Sequence, residues 1–193
     1  MSPDADVVPS RGRGGWDGAA RLHAATQLRD RLNAHTSVLA TAEAGAEYFR
    51  TLLKADTVTV STYLDGRYRD LVNAGYLPAG EVRFPSDSVY PDTLYPVTTE
   101  ELRVHGGYFS VDTTDAVFKE WVAAVPRTKL ASILGVGIVS GGSLRGEVCA
   151  TRHDVPGFDR DDFDLARDLA TTLGSRLMMA IRRAAREDNP QGL

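Results

Sequence analysis

The period of the apolar residues switches along this chain in an order that leaves few folds open. Leu22, Ala25, Leu28 and Leu32 recur every three or four residues, which predicts a helix over roughly 18–33, capped by Asp17. Thr36 or Ser37 restarts a second helix to about Lys54, with Leu39, Ala42, Ala46, Phe49 and Leu53 as its stripe. The period then drops to two. Thr57 to Tyr63 alternates and is β-branched, Asp65-Gly66 is a hairpin turn signal, and Tyr68 to Ala74 returns. A second alternating pair, Ser132–Val139 and Leu144–Thr151, turns through Ser140-Gly141-Gly142-Ser143. Asp159 then caps a last helix over about 160–186, with Asp161 and Asp162 at its positive end and Arg182, Arg183 and Arg186 near its negative end.

Between the two hairpins lies a long irregular insertion, 76–128. Pro78, Pro85, Pro91 and Pro96 forbid a regular helix before about residue 98. Thr98 and Glu101 have capping-box spacing, which predicts a short helix from there to about His105. Tyr108 to Val111 reads as a short strand and Asp115 to Ala124 as another short helix. Helix, helix, hairpin, insertion, hairpin, helix is the order of an α+β fold: an antiparallel sheet of five or six strands, N- and C-terminal helices on one face, the long mixed insertion on the other. Residues 1–17, rich in Pro and Gly, read as a flexible tail, 18–186 as one domain and 187–193 as a second tail.

Composition narrows the function classes. The chain has 193 residues, enough for one sizeable core. A net charge of −4 argues for solubility and against a nucleic-acid surface. No run approaches the roughly 18 apolar residues of a membrane span, and no apolar run follows Arg11 and Arg13 as a signal peptide would require. The expected location is cytoplasmic. Cys149 is the single cysteine, which excludes an internal disulfide and, at its strand position, reads as a buried thiol. Gly135-Val136-Gly137 lacks the third glycine and the helix of a dinucleotide fingerprint. The aspartates between 154 and 164 lack calcium-loop spacing, and the four histidines form no close ligand pair. No nucleophile sits in a recognisable elbow, so the chain is expected not to be an enzyme.

Three stretches together make the chain resemble the GAF domain family. They are Glu100-Glu101-Leu102-Arg103-Val104-His105-Gly106-Gly107-Tyr108-Phe109-Ser110-Val111-Asp112, the hairpin from Ala131 through Gly137-Ile138 and back over Leu144-Arg145-Gly146-Glu147-Val148-Cys149-Ala150, and Pro156-Gly157-Phe158-Asp159-Arg160-Asp161-Asp162-Phe163. The likeness spans about 20–185. It implies a small-molecule pocket between the sheet and the insertion, or a fold that has lost its ligand and only dimerises. In the cyclic-nucleotide-binding branch an Asn-Lys pair precedes a Phe-x-x-x-Asp element. Phe158 and Asp162 match the second part, but Arg152-His153 stands where Asn-Lys is expected and Phe163 replaces an acid. That departure argues against cyclic nucleotides. Bilin attachment needs a cysteine in the insertion, and the methionine-sulfoxide-reducing branch needs several; neither is met. Some members bind haem through one histidine in this part of the fold, which makes His105 the residue to inspect.

The insertion is rich in aromatics, and small-molecule sites are mostly apolar with a few polar groups. Tyr95, His105, Tyr108, Phe118 and Trp121 are therefore the candidate ligand-binding residues, expected beside one concavity. The expected function is a small-molecule-sensing or regulatory domain acting on a separate partner, its ligand and any cofactor unknown. A ligand-free dimerisation or interaction module is the alternative, ahead of a haem sensor or a small enzyme. The last helix is apolar almost all round near Leu177-Met178-Met179-Ala180-Ile181, so a homodimer through Leu22, Leu28, Leu173, Leu177 and Ile181 is expected, against coverage by the first helix from within the chain.

Overall fold

The computed structural model describes residues 15–76, 87–124, 129–154 and 156–188. Most of the two expected tails, and Pro78, Phe84 and Pro85 of the insertion, lie outside the described residues. The first hairpin is β1 (Thr57–Leu64) and β2 (Arg67–Gly75). Two short strands of the insertion follow, β3 (Val89–Pro91) and β4 (Gly107–Ser110), and then the second hairpin, β5 (Ser132–Ser140) and β6 (Ser143–Arg152). They form a six-stranded sheet in the order β3-β2-β1-β6-β5-β4. Every pairing is antiparallel. β3 was not legible as a strand because it has only three residues and ends in Pro91. An edge position tolerates the missing donor.

The helical stripes form where the periodicity places them. α1 (Gly18–Leu32) opens on Asp17, whose Oδ1 accepts from the Ala20 N–H at 2.8 Å. α2 (Val38–Leu52) opens on Ser37, whose Oγ accepts from the Ala40 N–H at 3.2 Å. The last helix, α5 (Arg160–Asp188), starts beside Asp159, which accepts from the Asp162 N–H at 3.0 Å. α2 and α5 lie on the sheet, over Val58, Val60, Leu134, Val136, Ile138, Val148 and Ala150, all fully buried. Two glycines set the close approaches. A Cβ on Gly45 would fall 2.6 Å from Leu173 Cδ1, and one on Gly174 would fall 2.8 Å from Ile138 Cγ2.

α1 packs on α5 and α2, burying Ala24, Leu28 and Leu32, and Tyr48 Oη of α2 donates to the Ala24 carbonyl at 3.0 Å. This arrangement corrects the expected dimer seam. Leu28, Leu173 and Leu177 are fully buried within the chain and are not surface, Ile181 is half-buried, and Leu22 alone of the five is exposed. The second apolar face of α5 is covered by α1 and α2. Trp16 is also buried in this core, so the packed chain begins before the expected boundary at 18.

The insertion supplies α3 (Pro96–Val104) and α4 (Ala116–Ala124) to the opposite face. α3 starts at Pro96, whose fixed φ and missing N–H suit a first helical position. The expected capping box is not used. The carboxylate of Glu120, on α4, instead accepts from the Val97 and Thr98 N–H groups at 2.7 and 2.8 Å. Asp115 caps α4 through the Val117 N–H at 2.8 Å. Among the described residues no helix is long and apolar enough to cross a membrane.

Candidate functional site

The insertion-side face of the sheet carries a buried polar row, and a β-bulge creates it. Val60 pairs with Val72, but Ser61 pairs with Asp70, leaving Leu71 as the extra residue. Side chains alternate faces along a strand. The bulge therefore lets Val72 and Ala74 pack into the helix-side core while Asp70 and Tyr68 face the insertion. Ser61 also pairs with Glu147 of β6. Asp70, Ser61 and Glu147 thus stand side by side on three neighbouring strands, and all three are buried.

Each carboxylate is held by a tyrosine from the insertion. Tyr90 Oη donates to Asp70 Oδ1 at 2.9 Å, and Tyr108 Oη donates to Glu147 Oε1 at 2.6 Å. Burial pushes the Asp70 carboxyl up to about 6, Tyr90 pulling the other way. Burial likewise pushes Glu147 up to about 7, opposed by Tyr108 and reinforced by the charges of Asp70 and Glu120. No basic side chain among the described residues lies against either group. Arg103, at the rim, is engaged by Asp92 at 3.2 Å. Cys149, also on β6, has its thiol raised by burial and then by Glu147.

Over this row runs a chain of touching rings. Tyr63 meets Tyr68 at 4.8 Å between centroids, Tyr68 meets Tyr90 at 5.7 Å, Tyr90 meets Tyr95 at 5.7 Å, and Tyr95 meets Trp121 at 5.4 Å. Tyr68 Oη is hydrogen-bonded to Thr99 Oγ1 at 3.1 Å. Trp121 Nε1 and Thr98 Oγ1 are buried without a hydrogen-bond partner among the described residues.

Of the five residues singled out from sequence, the structure brings four to this side. Tyr108 and Phe118 are buried in one cluster, Trp121 packs against it, and the Tyr95 ring meets Trp121 at a tilt of 37°. His105 stands apart. Its side chain is 63% exposed at the end of α3, 3.9 Å from Glu101. It lines a polar concavity of about 500 Å³ with Asp115, Arg160 and Arg167, which Tyr108, of the other four, also lines. Sequence reasoning missed Asp70, Glu147 and Ser61. Glu147 carried a usable signal, an acid at the head of the apolar run Val148-Cys149-Ala150.

No protein-family model and no curated sequence matches the chain. Its structure, by contrast, matches many solved ones. The GAF domain of a phosphoenolpyruvate-protein phosphotransferase from Coxiella burnetii is 17% identical with a TM-score of 0.66, covering 86% of this chain and 96% of that one. The phycoerythrobilin-bound GAF domain of a cyanobacterial phytochrome is 13% identical with a TM-score of 0.62, covering 84% and 96%. The chromophore-binding domain of the bacteriophytochrome RpBphP3 from R. palustris is 11% identical with a TM-score of 0.65; the match covers 86% of this chain and 64% of that longer one. At such identities the likeness is one of fold, and the fold is that of a GAF domain.

Proposed function

We propose that the chain is a small-molecule-sensing regulatory domain acting on a separate partner, with its ligand site on the insertion-side face. One observation carries the reading: Asp70 and Glu147 are buried among tyrosines with no basic residue against them among the described residues. Buried charge ordinarily acquires a partner or is neutralised by protonation. Near neutral pH this pair is poised between the two, and a ligand bearing positive charge or several donors would complete it. The rings of Tyr68, Tyr90, Tyr95 and Trp121 suit the apolar or cationic body of such a ligand. The unpartnered Trp121 Nε1 offers one further donor. Structural neighbours with sensory chromophores support a sensing role for the fold.

Native mass spectrometry of freshly purified protein tests this, followed by thermal-shift titration with small alkylammonium and guanidinium compounds at pH 8. A retained mass, or a melting shift that Glu147→Gln and Asp70→Asn abolish, is expected. A protein that carries nothing and responds to no such compound overturns the reading.

Ligand-free association is the second reading, and we propose a homodimer through the outer surfaces of α1 and α5. Leu22 and Met179 favour it, being 70% and 55% exposed on those helices.

A further inference from the structure

On the opposite side of the sheet from Asp70 and Glu147, a groove of about 920 Å³ opens between the N-terminal end of α2 and the C-terminal half of α5. The two helices touch at Gly45 and Leu173. Beyond that contact the space is walled by the helices and by the tips of the β1–β2 and β5–β6 hairpins. Its apolar lining is Val38, Leu39, Leu64, Leu71, Met178 and Ile181. Leu39 and Leu64 are 53% and 62% exposed, and methionine adapts to irregular apolar guests. The volume falls in the range of small-molecule sites, about 300–1,000 Å³.

The rim is basic in a chain of net charge −4. Arg69 is held by Asp87 at 2.6 Å. Arg145 and Arg182 line the groove and carry no ion pair or hydrogen bond among the described residues. The negative end of α5 favours a basic residue in its last turn, which holds Arg186 and not Arg182. It does not account for Arg145 either, which lies on β6 and brings a second guanidinium to the same rim. Planar guanidinium groups are suited to gripping carboxylate. A second copy docked two-fold on this groove would bring together Arg69, Arg145 and Arg182 of both chains, with Asp87 the one lining acid of each among the described residues.

We propose that this groove binds an anionic amphiphile, an alkyl chain ending in a carboxylate, with the chain on the apolar floor and the head between Arg145 and Arg182.

The test is calorimetric titration of the full chain with laurate, kept monomeric below its micelle concentration. Dodecyltrimethylammonium, with the same tail length and the opposite head charge, serves as the comparison. Saturable one-to-one binding of laurate is expected, at least tenfold tighter than the ammonium compound. Arg145→Gln with Arg182→Gln should weaken laurate at least tenfold, and Leu64→Asp should do the same from the apolar side. Arg145, Arg182 and Leu64 are exposed, and circular dichroism confirms that each variant folds. Absence of saturable binding overturns the proposal, as does equal affinity for the two heads or binding unchanged in the arginine variant. Capture of the protein by anionic vesicles without affinity for monomeric laurate overturns it too, in favour of a membrane surface.

Discussion

Tyr108 Oη donates a 2.6 Å hydrogen bond to Glu147 Oε1 across Gly135. The three residues belong to the adjacent strands β4, β6 and β5, and the tyrosine ring lies where a side chain at 135 would stand. A Cβ there would fall 2.3 Å from Tyr108 Cζ and 2.5 Å from Glu147 Oε1. Gly135→Ala must therefore displace the ring and break the bond. We expect a loss of about 2–4 kcal/mol in urea denaturation, overpacking adding to an unsatisfied buried carboxyl. In a Tyr108→Ala background the same glycine substitution should cost less, because the ring atoms are gone and only the clash with Glu147 Oε1, the end of a flexible side chain, is left. Equal costs in both backgrounds would show that the ring does not depend on this glycine.

The buried acids give stability a definite pH dependence. Asp70 and Glu147 have folded values of about 6 and about 7, above their ordinary values of 3.8 and 4.5. Between the ordinary and raised values the folded chain holds protons that the unfolded chain has released. Stability therefore falls as pH rises through that window and levels off above about 7. From pH 5 to pH 8 the two groups together should cost the folded state about 3–4 kcal/mol, because each retained proton costs about 1.4 kcal/mol for every pH unit over which it is held. Chemical denaturation at pH 5 and pH 8 checks this. Glu147→Gln should leave only the Asp70 share, about 1–2 kcal/mol. A stability that rises between pH 5 and pH 8 would contradict the burial of both acids.

Much of this fold was legible because each long element obeys one rule over many residues. The stripes of α1, α2 and α5 and the alternation of β5 and β6 leave only end residues to adjust. The candidate site was less legible, for a reason located at Leu71. Strict alternation along β2 puts Asp70 on the same face as Val72 and Ala74, where a carboxylate would lie in the helix-side core. The bulge reverses the face between Asp70 and Val72, and no local residue type announces it. The capping of α3 failed for a related reason. Thr98 and Glu101 have the spacing of a cap, but Glu120 reaches the helix from another element, a contact that only tertiary packing provides.

That cap makes a discriminating prediction. Glu120→Ala removes the acceptor for two backbone N–H groups and should cost about 1–2 kcal/mol, the usual scale for losing an N-cap. Glu120→Gln keeps one oxygen and should cost less. Glu101→Ala, at the position a capping box would use, should stay within about 0.5 kcal/mol. Thermal denaturation of the three variants decides between caps, and a costly Glu101→Ala beside a neutral Glu120→Ala would reverse the assignment.

The burial of α5 also changes how association must be tested. Leu173 and Leu177 are fully buried against the chain's own core. Leu177→Ala should therefore cost about 2–5 kcal/mol at any protein concentration, as a cavity in a monomer does. It cannot report on a partner. Met179 and Leu22 can, because their side chains are exposed on the outer surfaces of α5 and α1. If those surfaces meet a second copy, light scattering at tens of micromolar gives twice the 20.9 kDa chain mass. Met179→Asp with Leu22→Asp should then return the mass to that of one chain while leaving urea stability within about 0.5 kcal/mol after the dimer contribution is removed by dilution. A wild-type monomer under these conditions, or a dimer indifferent to both aspartates, rejects an interface on these helices.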